Sequence, residues 1–373
     1  MFQVDDVRKV RLERVTSNRF GRRRGGRHAI YMHIGAPKTG TTFLQRVLWQ
    51  NRDQLRQAGV CYPGETFGAH VHAAFDLRAA GFHGHRDPAV EGGWARLVEA
   101  CREWDGPSII SQELFSPASP EQVDTAIADL AFADVHLVYT ARMLALQIPA
   151  AWQEDLRNRF SPRLDEFVAA VRHPDQDRQG LGRMFWSMQD ATEVLRRWGR
   201  DLPRDRVHVI TVPGHANPPD LLWRRFATVV GLDPDAFDID GSYQNSSLGA
   251  AEAAVLQRLN LALNEEIGWP LYGEMIKHHL AETLAGRPGS TRIQLGRDDA
   301  AWAAERGEEI IVGLRKAGYD VAGSLDELRS APPSPDAPPD APQAPVEEQL
   351  DVAVEAIAAL LLRISRLRRG VRQ

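Results

Sequence analysis

The sequence predicts an α/β protein in which a parallel sheet carries helices on both faces. Four short apolar runs, at 28–34, 107–111, 135–140 and 207–212, have the length of buried strands. Segments with helical periodicity lie between them, and strand–helix alternation is typical of parallel sheets. The length of 373 residues, with 43% hydrophobic and 25% charged residues, fits a globular chain with a sizeable core.

The first predicted strand runs directly into the loop G-A-P-K-T-G-T-T at 35–42. A helix follows at once, with apolar residues at 44, 47, 48 and 55 and with Gly59 as its expected C-terminal cap. A glycine loop between a strand and a helix directs backbone N–H groups and the helix dipole toward one point, and this arrangement binds phosphate. The sequence therefore predicts a P-loop-type parallel sheet.

The later elements are predicted from caps and periodicity. Ser119, Pro120 and Gln122 form a capping box with a first-turn proline, which predicts a helix through Leu130. Further helices are predicted over 183–198, 220–230, 250–264 and 298–317. These elements predict one P-loop-type α/β domain at 28–330.

The segment 331–345 contains seven prolines in fifteen residues, which predicts a semi-rigid spacer. An amphipathic helix is predicted beyond it, at 346–373. Five apolar residues form a short heptad seam on this helix: Leu350, Val354, Ile357, Leu361 and Ile364. Docking onto the protein's own body, self-association and contact with a membrane surface all remain open for it.

Charge and cysteine content restrict the partners and the compartment. The net charge of -5 argues against a nucleic-acid partner, although residues 1–27 carry nine basic and three acidic residues and are predicted to form a disordered arm. Cys61 and Cys101 are too few for a disulfide framework and lack metal-site spacing. Because there is also no apolar run of bilayer length, we expect a cytoplasmic protein without a transmembrane segment.

The loop differs from that of nucleoside triphosphatases, which require lysine directly after the second glycine. Here that position is Thr41, and the lysine lies earlier, at Lys38. Only four of the 45 basic residues are lysines, so a lysine inside this loop is informative. No aspartate ends the strands at Ser111 or Thr140 to hold magnesium, which makes a P-loop kinase the weaker alternative.

The string H-I-G-A-P-K-T-G-T-T-F-L-Q at 33–45 resembles the 5'-phosphosulfate loop of the PAPS-dependent sulfotransferases, particularly their bacterial branch with P-K-T-G-T-T. The resemblance covers about 29–328 and includes four further segments: Tyr62-Pro63-Gly64, the segment around Arg142, Asn245-Ser246-Ser247-Leu248 and Gly318-Tyr319-Asp320-Val321. It implies that the chain binds 3'-phosphoadenosine 5'-phosphosulfate (PAPS). The sulfuryl group would pass, without a metal, to a hydroxyl or amine of a small-molecule or glycan acceptor.

The resemblance also implies roles for the loop residues. Lys38 would stabilise negative charge on the leaving oxygen, an electrostatic role for a compact cation. Gly40 would allow close backbone approach, and the hydroxyls of Thr39, Thr41 and Thr42 would bind the 5'-phosphate. Phe43 corresponds to an aromatic residue beside the adenine in relatives, with simple packing under the first helical turn as the open alternative.

Arg142 follows the predicted strand 135–140, at the edge where open α/β sheets bind ligands. The resemblance implies that it binds the 3'-phosphate, together with a serine eight residues later. That later position is Ala150 here. The missing hydroxyl keeps a second alternative open, a non-catalytic nucleotide-binding or scaffold protein.

A base must accept the acceptor's proton, and relatives use histidine or glutamate. Glu113 leaves the second predicted strand at the edge of the phosphate loop and is the first candidate. His70, or His72, in the glycine-rich stretch 64–93 is the substitute.

Other residues have ordinary interpretations. The pairs His70/His72 and His83/His85 lack the further ligands of a zinc site, and His33 is predicted to be a core histidine. Asn245 and Ser247 can either close over the nucleotide or cap a helix.

Overall fold

A computed structural model describes residues 27–81, 84–214, 216–241, 247–264, 266–331, 333, 338–341 and 343–370. The predicted basic arm (apart from Arg27), His83 and Asn245 lie outside the described residues. Within the described part of the chain, no helix combines the length and the apolar character that a bilayer crossing needs.

The fold is built on one parallel five-stranded sheet, which confirms the predicted α/β class. The strands are β1 (Ala29–His33), β2 (Ser108–Ser111), β3 (Asp134–Ala141), β4 (Val207–Thr211) and β5 (Asp320–Ala322). Their order across the sheet is β2-β1-β3-β4-β5, and each neighbouring pair is parallel. Sequence reasoning missed β5, because this edge strand has only three residues and none of them is fully buried.

Helices cover the sheet between successive strands. Before β2 they are α1 (Thr41–Gln50), α2 (Arg52–Gln57), α3 (Ala69–Leu77) and α4 (Gly93–Arg102), and before β3 the helix is α5 (Pro120–Asp129). Between β3 and β4 lie α6 (Leu144–Arg157), α7 (Leu164–Arg172), α8 (Leu181–Gln189) and α9 (Ala191–Trp198). The remaining helices are α10 (Leu221–Val230), α11 (Ala250–Leu263), α12 (Ala281–Ala285), α13 (Arg297–Ala317) and α14 (Val346–Gly370), with a π-helical segment, Gly273–Leu280, before α12.

Two hydrophobic clusters, one on each face of the sheet, explain the continuous apolar runs of the strands. Leu137 and Tyr139 of β3 belong to the larger cluster, whereas Val138 between them belongs to the smaller one. Successive side chains of a strand point to opposite faces, so a sheet covered on both faces needs apolar residues at every position.

Some predicted helix boundaries hold and others do not. The capping box of α5 is confirmed: Ser119 Oγ accepts from the Gln122 N–H at 3.3 Å, and Gln122 Oε1 accepts from the Ser119 N–H at 2.9 Å. The prediction of one helix over 183–198 is wrong. The chain breaks at Asp190, whose carboxylate accepts from the Glu193 N–H at 3.1 Å and so caps α9.

The sheet order places a crevice at the carboxyl ends of the central strands. The chain goes from β1 to β2 on one side and then to β3 on the other side of β1. Loops that leave neighbouring strands in opposite directions open a crevice between them, where open α/β sheets bind ligands. The loop at 35–40, Glu113 and Arg142 all follow these strand ends directly.

Candidate active site

The glycine loop turns sharply and lies against β3. The Ala36 N–H donates to Thr140 O at 2.8 Å, which holds the beginning of the loop to that strand. Gly35 and Gly40 have φ angles of 122° and 87°, and Lys38 has a φ of 63°. A Cβ on Gly40 would lie 2.5 Å from Leu222 Cδ2, and the φ of 87° is one that residues with a Cβ rarely adopt, so glycine is strongly favoured where the loop enters α1.

Two glutamines hold the middle of the loop. Gln147 of α6 and Gln189 of α8 both donate to the carbonyl oxygen of Pro37, the residue before Lys38. Gln147 Nε2 also donates to Gln189 Oε1 at 2.9 Å, and both side chains are buried. This pair fixes the backbone direction from which the Lys38 side chain leaves the loop.

Lys38 extends toward α6 and meets a carboxylate that it shares with a second lysine. Lys38 Nζ lies 3.2 Å from Glu154 Oε2, and Lys277 Nζ lies 3.0 Å from Glu154 Oε1. Lys277 also donates to Asn158 Oδ1 at 2.6 Å. Two of the chain's four lysines therefore meet at one carboxylate beside the phosphate loop.

The charges of this cluster stabilise the ionised carboxylate. Burial alone would raise the pKa of Glu154, but the ammonium groups of Lys38 and Lys277 hold that pKa well below its usual range. The carboxyl of Asp155, next along α6, has its pKa raised to about 7 by burial and by the charge of Glu154. Glu154 thus stays ionised at neutral pH and keeps both lysines in place.

Glu113 begins the turn that follows β2, directly beside the loop. A Cβ on Gly35 would lie 3.2 Å from Glu113 Cβ, which shows how closely the two segments approach. Gln45 of α1 donates to Glu113 Oε2 at 2.9 Å. Burial raises the pKa of the Glu113 carboxyl, and the Glu154 charge adds to this, while hydrogen bonds from Gln45 and Thr41 oppose it.

Arg142 follows β3, and its guanidinium lies under the loop. Nη1 donates to Lys38 O at 3.3 Å. Burial lowers the pKa of Arg142, and the nearby guanidinium of Arg292 lowers it further. The charge of Arg292 thus acts on Arg142 at this edge of the site.

The threonines of the loop do not behave alike. The Thr39 hydroxyl donates to Ala36 O at 2.5 Å and also contacts the Thr140 hydroxyl, and Thr39 is buried. Thr41 is buried, and its hydroxyl forms a hydrogen bond with the carboxyl group of Glu113. The prediction of phosphate-binding hydroxyls is therefore corrected for these two, whose hydroxyls are bonded inside the protein. Thr42, in the first turn of α1, is exposed.

Phe43 and His70 also occupy the core. Phe43 is 5% exposed and packs in the smaller hydrophobic cluster, as its packing interpretation predicted. His70 Nε2 donates to Pro63 O at 2.7 Å, its Nδ1 accepts from the Ser111 N–H at 3.1 Å, and its ring stacks on Tyr62. Because both nitrogens are bonded and burial lowers its pKa to about 4, His70 joins the loop 62–64 to β2 and does not serve as a base.

The structure also places two further histidines. His72 lies with His70 on helix α3, within the glycine-rich stretch 64–93. His33 is a core histidine, as predicted: Nδ1 lies 2.8 Å from Ser111 Oγ and Nε2 lies 3.3 Å from Thr140 Oγ1. The described residues contain no group of three or more metal-ligating side chains.

Comparisons with known proteins give one solved structure. No family model and no curated protein matches the sequence. The chain is similar to the crystal structure of a sulfotransferase from Alicyclobacillus acidocaldarius, with 17% identity and a TM-score of 0.41; the match covers 65% of this chain and 98% of that one.

Sequence reasoning missed Glu154, Lys277 and Arg292. The rarity of lysine was a usable signal for Lys277, because two of the chain's four lysines lie at the site. Glu154 sits on α6 with no motif around it, and Arg292 follows a segment without regular structure. Only the tertiary fold brings these three residues to the loop.

Proposed function

We propose that this protein is a sulfotransferase that moves a sulfuryl group from PAPS to a hydroxyl or amine of a small-molecule or glycan acceptor. The observation that carries the proposal is the loop at 35–42, which lies beside Glu113. Its lysine is Lys38, whereas a nucleoside triphosphatase loop has its lysine after the second glycine. A cation for the leaving group and a base for the acceptor are the two groups that this reaction requires. The cytoplasmic location stays a prediction from the sequence.

The residues present fit the donor. The loop passes through left-handed φ angles at Gly35, Lys38 and Gly40, and α1 begins directly after it, so the helix N-terminus is directed to the loop. We assign the 5'-phosphosulfate to this loop, with Lys38 and Thr42 as its side-chain contacts. We assign the 3'-phosphate to Arg142 and Arg292, where the second guanidinium compensates for the hydroxyl that Ala150 lacks.

In the proposed step, the acceptor oxygen forms a bond to sulfur while the bond between sulfur and the bridging phosphate oxygen breaks. The acceptor's proton passes to Glu113, and the negative charge that develops on the bridging oxygen is stabilised by Lys38. The product is 3'-phosphoadenosine 5'-phosphate (PAP). The raised pKa of Glu113 brings this base closer to the pH of the reaction, which favours proton transfer.

The kinase alternative is less well supported. Thr41 occupies the position at which P-loop kinases have their lysine. Its side chain is buried and forms a hydrogen bond with the carboxyl group of Glu113. Titration calorimetry with PAP, and separately with ATP and Mg²⁺, distinguishes the alternatives. We expect PAP to bind without metal. Binding of ATP with Mg²⁺ but not of PAP would favour the kinase, and PAP binding without turnover would favour the scaffold.

The proposal is tested by measuring how fast the protein transfers ³⁵S from labelled PAPS to acceptors in a cell extract. The rates of two lysine variants are compared with that of the wild type. We expect Lys38→Ala to lower the rate about 100-fold or more, because loss of a transition-state charge contact costs ~3 kcal/mol. Lys316→Ala is the matched control, since Lys316 is exposed at the end of α13. Equal rates for the two variants would remove Lys38 from the reaction.

A further inference from the structure

Helix α14 lies on the body of the protein through one side only. Val352 and Ala356 are buried in the larger hydrophobic cluster. Polar contacts reinforce this side: Arg363 pairs with Glu274 at 3.1 Å, and Glu355 pairs with Arg287 at 3.1 Å. The helix therefore docks onto the protein's own body through these residues, and no residue of the predicted heptad seam takes part.

The heptad seam faces away from the body. Its five residues are between 41% and 64% exposed: Leu350, Val354, Ile357, Leu361 and Ile364. A continuous apolar stripe of this kind is unusual on a surface that stays in water. Its spacing of four and three residues is that of a helix that packs against another helix along its length.

The free charges of α14 are divided between its two halves. Glu347 and Asp351 lie beside the seam in the first half, and Arg368 and Arg369 lie on or beside it in the last, whereas Glu348 and Arg366 are on the side of Val352. These two acids and two arginines are arranged about a point near residue 359, and the apolar seam is centred on residue 357. If a second copy of this helix packs against it in antiparallel orientation, the acids of each helix lie beside the arginines of the other at both ends. The two apolar seams then pack against each other in the middle.

We propose that α14 is the interface through which two copies of this chain associate, as an antiparallel helix pair with its two-fold axis near Ile357. A parallel pair would set acids against acids and arginines against arginines, which is unfavourable. A two-fold contact is self-complementary, and here one helix supplies both the apolar stripe and the opposite charges that such a contact needs. This proposal does not depend on the proposed enzyme activity.

Sedimentation velocity of the full chain tests the association. We expect a species of twice 41.6 kDa at micromolar concentration, and a monomer with an unchanged circular dichroism spectrum for Ile357→Arg/Leu361→Arg, because both side chains are exposed on the single chain. Val312→Arg is the matched control, an equally exposed apolar residue on α13, and should stay dimeric. A wild-type monomer would overturn the proposal, and so would a monomer that sediments with anionic vesicles, which would make the stripe a membrane-binding face.

Disulfide trapping tests the orientation in a Cys61→Ser background, in which the other cysteine, Cys101, is buried. Ile357→Cys should cross-link with its own copy. Leu350→Cys should not, but should cross-link when mixed with Ile364→Cys, because these positions are equally far from residue 357 on opposite sides. Efficient self-cross-linking of Leu350→Cys would show a parallel pair and overturn the assignment.

Discussion

At the scale of single residues, the carboxylate of Glu154 organises the candidate site. It holds the loop lysine, Lys38, and the lysine of the π-helical segment, Lys277, at 3.2 and 3.0 Å. Burial is the main cause of the raised pKa of Glu113, and the charge of Glu154 adds a smaller increase. One side chain of α6 thus places the cation and adjusts the base that the proposed reaction needs.

Replacing Glu113 tests the base. We expect Glu113→Gln to keep PAP affinity and to lower kcat by roughly 100- to 10,000-fold, the range for a positioned general base. The rate of the wild-type protein should fall as the pH decreases through the raised pKa of Glu113, because only the carboxylate accepts a proton. The residual rate of Glu113→Gln should lack this dependence. His72→Asn serves as control, and an unaltered acidic limb in Glu113→Gln would assign the base to another residue.

Nucleotide affinities test the two arginines. Arg142→Ala and Arg292→Ala should each weaken PAP binding about 10-fold or more, since a charge-assisted contact contributes ~1.5–3 kcal/mol. Binding of AMP, which lacks the 3'-phosphate, should change much less. Calorimetry with both nucleotides checks this difference. If PAP and AMP lose equal affinity, the arginines do not bind the 3'-phosphate.

At the scale of elements, the turn from the loop into α1 depends on glycine. Gly40 and Gly59 both have left-handed φ angles, 87° and 82°, but only Gly40 has a close neighbour, Leu222. Gly59→Ala should cost about 1–2 kcal/mol of the free energy of unfolding, from backbone strain alone. Gly40→Ala should cost more and should abolish PAP binding. Denaturant unfolding and calorimetry on both variants check this, and equal effects would contradict a steric role for Leu222.

Local elements were predictable, because short-range chemistry determines them. The strand and glycine loop at 28–40 and the capping box at Ser119 depend on residues close in sequence. The single helix predicted from the loop to Gly59 is wrong, because the chain breaks at Asn51 between α1 and α2. The ion pairs of Glu154 join residues 116 and 123 positions apart, and no local pattern records such a contact. Helical periodicity predicted the apolar seam of α14. It did not predict that the body would bind the opposite side of the helix, at Val352, and leave the seam exposed.

At the scale of the whole molecule, buried histidines make the fold sensitive to acid. His33 joins β1 to β2 and β3, and His70 joins β2 to the loop 62–64. Both side chains are almost completely buried, at 0% and 2% exposed. Burial lowers their pKa values to about 3 and about 4, so the folded protein keeps both rings neutral while the unfolded chain protonates them near pH 6.5.

The unfolded state therefore binds more protons than the folded state between pH 6.5 and 4, and stability falls as the pH decreases through this range. Each of the two histidines should contribute a slope of about 1.4 kcal/mol per pH unit. The raised pKa of Asp155, about 7, acts in the opposite direction, since the folded state there holds the extra proton. Its contribution is the same in wild type and in a histidine variant, and it cancels when their slopes are compared.

We expect His70→Gln to be less stable than wild type at pH 7 but to lose about 1.4 kcal/mol less per pH unit between pH 6 and 4.5. Urea unfolding at several pH values gives both slopes. His72→Gln is the matched control, because His72 lies on the same helix with a partly exposed side chain. Parallel pH dependences for His70→Gln and wild type would mean that the folded protein accepts a proton on His70 without cost, which contradicts the two hydrogen bonds that hold its ring in the core.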